Sequence, residues 1–262
     1  MLLKILPFLF LFVSCGTSYS YRKPPIANHA KEINEKMKVT LIGFCPYSVS
    51  STSSVSGRVR TTRTTALLVT SYCAKDKFEF GTPIEKQVFT TTRTDVPEQV
   101  SKDFVKDYLN ETKGSGVNEL NPILKEDNKK LLLRKSDSDY YVVGIVQPPF
   151  GAKQSPMGML TSFLTVFPAI GTLGTIPFVN QKLSTTRIRV YDKDFKFLKQ
   201  YNYEDQAFWT ITAWWTLWSS NVEHQVVLQK LSHPKGAMGA DIKEFTNDFF
   251  EDHNTNKLTL AK

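Results

Sequence analysis

The feature that most constrains this chain is a run of twenty-eight residues, Gln154 to Gln181, without one charged side chain. Its centre, Met157 to Phe178, is long enough to cross a bilayer as a helix, which takes about twenty residues. Pro168, Pro177 and three glycines work against one straight helix. Such breaks are tolerated in a membrane where neighbours re-satisfy the backbone, or where the segment is re-entrant. In an aqueous setting the same run would form two short buried helices. A second uncharged run, Gln206 to Val222, holds all four tryptophans. On a helix, Ile211, Trp214, Trp215 and Trp218 fall at i, i+3, i+4 and i+7. An indole has an apolar body and one polar N–H, so Trp209, Trp214, Trp215 and Trp218 are candidates for a membrane-interface belt. The alternative packs this stripe on the first run or on a sheet, and period-2 alternation also fits parts of it. The two runs are expected to insert as a helical apolar hairpin. Insertion would place residues 180–205, with six Lys or Arg against four acidic residues, across the membrane and on its cytoplasmic side.

The N-terminus points to the same surroundings. Met1-Leu2-Leu3-Lys4 is a short basic start, Ile5 to Val13 is almost purely apolar, and Ser14-Cys15 follow. That is the layout of a signal peptide, and an apolar stretch of roughly ten residues is too short to span a bilayer. Phe12-Val13-Ser14-Cys15, with Leu11 just upstream, resembles the lipobox of bacterial lipoproteins. The resemblance implies a signal peptide over residues 1–14 and lipidation of Cys15, which becomes the mature N-terminus. The alternative is an ordinary secretory signal cut near Ser18 or Ser20. Residues 16–26, with Gly, Ser and Pro-Pro, are expected to be a flexible tether, so that residues 15–37 hold the lipidated end and spacer. Removing residues 1–14 takes away only Lys4, and the net charge of +8 becomes +7. These charges are spread along the chain and match no nucleic-acid module, so nucleic acid is excluded as a partner and anionic lipid head groups are favoured.

Residues 38–150 are expected to form an extracytoplasmic α/β domain. Lys38 to Phe44 is apolar and β-rich, ends in Cys45-Pro46 and reads as a buried first strand. In residues 48–65, eleven of eighteen are Ser or Thr, the composition of a solvated loop. Val55, Val59, Ala66 and Cys73 could instead line one helix face, and Leu67-Leu68-Val69 a strand; the segment stays open. Val100, Phe104, Val105, Tyr108 and Leu109 behind Asp95 and Pro97 have the spacing of an amphipathic helix. Leu131 to Leu133 and then Asp139 to Val146 are the next apolar runs, the second a strand closed by Pro148-Pro149. Between the apolar runs, Ile188 and Val190, then Phe195 and Phe197, alternate around Asp192-Lys193-Asp194 and predict a β-hairpin. Residues 151–222 would then be membrane-associated segments flanking that hairpin. Residues 223–262 would be a C-terminal helical segment, with Asp241 capping a helix through Ile242, Phe245, Phe249 and Phe250. The expected class is α+β: a small α/β domain followed by a helical apolar hairpin and a β-hairpin.

An apolar segment ending Thr172-Leu173-Gly174-Thr175-Ile176-Pro177, then a Val190-Tyr191-Asp192 hairpin, then a Trp-rich segment, looks like a layout of uncharacterised bacterial envelope lipoproteins. Spirochaete lipoproteins come closest. The resemblance implies location and topology, not an activity.

The search for chemistry excludes the common site types. Three cysteines make no disulfide scaffold and no CxxC pair. Cys45 and Cys73 remain after lipidation, an even pair that can join in an oxidising compartment; the alternative is two small buried apolar residues. Cys45 has no basic neighbour in sequence to make it a nucleophile. His29, His224, His233 and His253 form no HExxH, and no GxSxG, GxxxxGK[ST] or GxGxxG is present. The pairs Asp137/Asp139 and Asp192/Asp194 sit in turns beside lysines and read as turn formers. No catalytic residue, metal ligand or cofactor is expected. The expected role is structural or binding, with membrane lipid and envelope proteins as partners; the alternative is an accessory subunit of an envelope secretion or transport assembly.

Overall fold

The structure, a computed structural model, describes residues 16–21, 25–57, 59–112, 117–127, 130–134, 136–146, 153–213 and 235–258. Its strands are β1 (Gly16–Tyr21), β2 (Val39–Gly43), β3 (Tyr47–Ser56), β4 (Val59–Leu68), β5 (Thr82–Pro83), β6 (Leu124–Asp127), β7 (Lys130–Leu133), β8 (Tyr140–Val146), β9 (Lys153–Gln154), β10 (Phe178–Asp192) and β11 (Phe197–Ala213). Its helices are α1 (Ala30–Lys36), α2 (Glu98–Glu111), α3 (Val117–Leu120), α4 (Pro156–Gly171) and α5 (Lys235–Asn254). The class is α+β, and one seven-stranded mixed sheet of order β1-β11-β10-β8-β2-β5, with β9 also on β10, organises it.

The sheet is covered on both faces because its central strands are apolar at both parities. All five positions of β2 are buried, as are six of the seven in β8. Val39, Leu41, Val142 and Val146 point one way, into a core closed by α1 through Ile33 and by α5 through Met238, Ile242, Phe245 and Phe249. Ile42, Tyr141, Val143 and Ile145 point the other way, against Phe104 and Tyr108 of α2, Leu120 of α3 and Leu133 of β7. β2 and β8 run parallel and meet at Gly43 and Gly144. A Cβ on Gly43, whose φ is +82°, would sit 2.3 Å from the Gly144 carbonyl oxygen, so only glycine fits that approach.

The amphipathic helix expected behind Pro97 is α2, with Phe104 and Tyr108 as its buried stripe. The expected hairpin is β10–β11. Asp192 Oδ1 accepts the N–H groups of Asp194 and Lys196, and Phe195, at φ +61°, drives its ring into the core 4.0 Å from Tyr141. Most of the open segment, residues 48–73, forms a two-stranded ribbon, β3–β4, pairing Tyr47 with Leu68 through Ser56 with Val59, and a single helical turn at Thr70–Tyr72 follows it.

Several expectations are corrected. The boundary at residue 150 does not separate two units, because β10 pairs with β8 from Thr186–Val146 to Asp192–Tyr140. That pairing also rules out the transmembrane arrangement. A hairpin hydrogen-bonded into the sheet of the α/β unit cannot lie across a bilayer from it. The first apolar run holds one helix, α4, about 24 Å long at 1.5 Å per residue, and its end from Phe178 to Gln181 is already β10. No helix among the described residues is long and apolar enough to cross a membrane. The second run is not helical where it is described, since Gln206 to Ala213 belongs to β11. The first part of the expected tether, residues 16–21, is a strand. Each residue of β1 pairs with one of β11, and Thr17 Oγ1 lies 3.1 Å from Thr212 Oγ1. Within residues 25–37, α1 is packed in the core. Asp241 does not cap a helix; it is buried inside α5 and accepts a 2.6 Å bond from Thr186 Oγ1.

Candidate functional site

The long hairpin has two halves, divided by a register shift between Ser184 and Thr186. The half toward the turn lies in the layered core. The far half carries β1 on one side, β9 on the other, and α4 along β10.

α4 is attached by its polar groups. Ser155 caps it by accepting the Gly158 N–H at 2.8 Å and donates to Gln181 Oε1 at 2.6 Å. Thr165 Oγ1 accepts the Val179 N–H at 3.0 Å, and its own hydrogen goes to the Thr161 carbonyl at 2.7 Å. Gly158 lies so close to β10 that a Cβ would fall 2.0 Å from the Gln181 carbonyl oxygen. With the small and hydroxyl residues turned to the sheet, the apolar ones face outward: Phe163 is 66% exposed, Phe167 68% and Ile170 66%, with Met159, Leu160 and Leu164 beside them. An apolar groove of about 310 Å³ continues this face between Ile170 and Leu173 on one side and Phe178 and Thr212 on the other. Thr212 pairs with Thr17 and Ala213 with Gly16, the residue next to Cys15 in sequence. Trp209 is half-buried on β11, opposite Gln181 and Ser20. Cys15, Trp214, Trp215 and Trp218 lie outside the described residues.

A second cluster stands at the base of the β3–β4 ribbon. Cys45 and Cys73 are joined by a disulfide that brackets the ribbon, next to backbone bonds from Ala74 N–H to the Phe44 carbonyl and from Val69 N–H to the Pro46 carbonyl. Against the disulfide lies Glu119 of α3, its side chain 3% exposed. Its Oε1 is 2.8 Å from Cys45 Sγ, 3.9 Å from Cys73 Sγ and 3.8 Å from Lys75 Nζ, and its Oε2 accepts the Tyr108 hydroxyl. Lys75 Nζ donates to Glu85 Oε1. Burial raises the Glu119 carboxyl above the usual carboxylate range, although Lys75 and the Tyr108 bond pull it back. The ligand-type atoms of Cys45, Cys73 and Glu119 lie within 4.8 Å of one another. Joined to each other, the sulfurs offer no thiolate to a metal. Sequence reasoning found both cysteines but missed Glu119 and Lys75, which lie 46 and 2 residues from Cys73 and carry no local motif.

The remaining candidates have packing roles. His29 stacks on Phe250 at 4.5 Å, and His253 Nδ1 lies 3.2 Å from the Tyr140 hydroxyl. Asp139 accepts the Lys38 N–H, Asp192 closes its turn, and Asp194 accepts from Arg93. Tyr203 donates to Asp248, while Tyr201 and Lys199 donate to Asp252, a polar seam that holds α5 to β11.

No protein-family model, no curated protein and no solved structure matches this chain.

Proposed function

We propose that the chain is a lipid-anchored protein of the bacterial cell envelope with a structural or binding role, resting on the bilayer through the outward face of α4. The observation that carries this reading is the inverted attachment of α4: Thr165 bonds β10 and Gly158 packs closely on it while its phenylalanines face away. Contiguous exposed apolar surface of this kind marks a membrane or protein contact. β1 brings the residue after Cys15 to the same end of the sheet. One acyl chain holds a protein only marginally, and stable attachment takes a second signal. Burying Phe163 and Phe167 in hydrocarbon would add about 1.5–3 kcal/mol each.

Two measurements test the reading. Labelled palmitate should enter the wild-type chain in a bacterial host and not the Cys15→Ala chain; acylation that persists in the variant removes the anchor. Chain lacking residues 1–15 should float with phosphatidylethanolamine–phosphatidylglycerol vesicles, and the double variant Phe163→Glu/Phe167→Glu should stay behind. Equal flotation of the two sinks the contact surface. Failure of both to float, with stable co-purification of integral membrane proteins from detergent extracts, selects the accessory-subunit alternative.

A further inference from the structure

The disulfide has a neighbour that a simple staple does not need. In the oxidised state neither sulfur carries a hydrogen, so the Glu119 Oε1 atom, 2.8 Å from Cys45 Sγ, receives no hydrogen bond from it. That position is filled productively in one of two ways. Either Glu119 is protonated and aims its hydrogen at Cys45 Sγ, or Cys45 is a free thiol whose hydrogen is aimed at Glu119. Both are stages of one proton transfer. Glu119 is buried with Tyr108 on its other oxygen, so its orientation is fixed. Cys45 is 2% exposed whereas Cys73 is half-buried, so an incoming reagent reaches Cys73 first.

We propose that Cys45 and Cys73 form a working thiol–disulfide couple, with Glu119 as the acid–base group of Cys45, and that its reaction partners are thiols or disulfides of small molecules or oxidoreductases. This goes beyond the envelope-protein reading and does not depend on it. A thiolate of the partner attacks Cys73 Sγ. A bond forms between the two sulfurs, the Cys45–Cys73 bond breaks, and Cys45 leaves as a thiolate that takes the Glu119 proton. A second partner thiolate attacks the partner sulfur of the mixed disulfide and releases Cys73, which takes a proton from water. Two partner thiols become one disulfide, and the protein gains two electrons and one proton from solvent, at Cys73; of the two protons the thiols shed, the other stays in solvent, matching the proton that Glu119 has passed to Cys45. The Glu119 carboxylate left behind faces Lys75 at 3.8 Å and the Tyr108 hydroxyl, which favour it, while Glu85, bonded to the same Lys75, opposes it and Tyr47 is the other titratable neighbour. Oxidation by a partner disulfide runs the same steps backward, with Glu119 taking the Cys45 proton. Burial keeps the Glu119 proton on at a pH where an exposed carboxyl would have lost it.

The test uses the mature full-length chain. Titrated with reduced and oxidised glutathione and quenched by thiol alkylation, the folded protein should pass from disulfide to dithiol within the range of these buffers while its circular dichroism is retained. A disulfide that persists in every buffer until the protein unfolds overturns the couple. The rate of reduction by dithiothreitol, divided by the reagent's thiolate fraction, should fall from pH 5 to pH 9 as Glu119 loses its proton. Glu119→Gln should be at least ten-fold slower at pH 5 and show no such fall. A purely structural role for Glu119 predicts the opposite, faster reduction of a loosened disulfide. Normalised rates of Glu119→Gln within two-fold of wild type at all pH values overturn the acid–base role. Should that variant fail to fold, the wild-type glutathione titration and its pH profile decide the matter alone.

Discussion

Helices α4 and α5 invert the usual relation between hydrophobicity and burial. α4 has no charged residue in its sixteen, yet its phenylalanines, leucines and isoleucine stand in the open. α5 carries Lys235, Asp241, Lys243, Glu244, Asp248, Glu251 and Asp252 in its twenty, yet twelve of its residues are buried. The difference lies in what each helix turns toward the sheet. α5 presents Ile242, Phe245 and Phe249 to Ile188, Val190 and Tyr201 and seals its flank with carboxylates on Tyr201 and Tyr203. α4 presents Gly158, which lets it approach the strand closely, and Thr165, which hydrogen-bonds Val179, and its apolar side is left outward. Total hydrophobicity therefore does not choose the core helix; the residues on the contact stripe do.

The largest effect should come from truncating that stripe. Phe245→Ala removes a fully buried ring packed on Phe80, Phe249 and Tyr201 and should lower unfolding stability by about 3–5 kcal/mol in urea titrations. A loss under 1 kcal/mol would mean that α5 is not the core helix. Opening the disulfide by the double change Cys45→Ser/Cys73→Ser should cost about 2–4 kcal/mol in the same assay. The damage should centre on the β3–β4 ribbon, as seen by hydrogen exchange, because two-stranded ribbons are marginal in water. Phe167→Ala on α4 should change aqueous stability by no more than about 0.5 kcal/mol, the range of surface substitutions. Its mark would be weaker vesicle flotation, and a large loss of folding stability would place α4 in the core after all.

The smallest effects concern pH, and only α5 should show them. Burial alone would raise the Asp252 carboxyl, but the bonds from Lys199 and Tyr201 outweigh it and hold the carboxyl below its ordinary 3.8. The unfolded chain then binds this proton more tightly than the fold. The contribution is present above pH 3.8 and lost as pH falls through the lower folded value. Burial raises Asp248 instead, so its contribution runs the other way and is lost as pH climbs from 3.8 through its higher folded value. Urea midpoints of Asp252→Asn should lose part of the acid-side slope, and those of Asp248→Asn should lose a decline above it. Vesicle binding through the uncharged α4 should not vary between pH 5 and pH 8. A binding step in that range would show that charged groups take part in the contact.

What was legible in the sequence was local periodicity with a single reading. α2 and the β10–β11 turn fall there, as do β2 and β8, whose apolar runs are short and bounded by Gly43 and by the prolines at 148 and 149. Of the helical stripe from Ile211, only Ile211 lies among the described residues, and there Gln206 to Ala213 is strand because pairing with β10 and β1 supplies its backbone hydrogen bonds. β1 was missed for a related reason. Its six residues hold no apolar alternation, and its partner strand starts 181 residues further on, at Phe197. Glu119 was invisible because nothing beside it in the chain tells a buried carboxylate from a solvated one.

By itself the sequence determined the α+β class, the strands and helices with one clear period, and the existence of a charge-free segment that had to find an unusual place. Those follow from side-chain chemistry repeated over a few residues, which needs no distant partner. Only the tertiary structure decided that the charge-free segment is a helix lying on a strand with its apolar side outward, that the hairpin belongs to the central sheet, and that Glu119 and Lys75 meet the disulfide. Each of these is a choice between alternatives of similar local energy. Such choices are made by hydrogen bonds and packing between residues far apart in the chain, whose gain exists only once the whole fold brings them together.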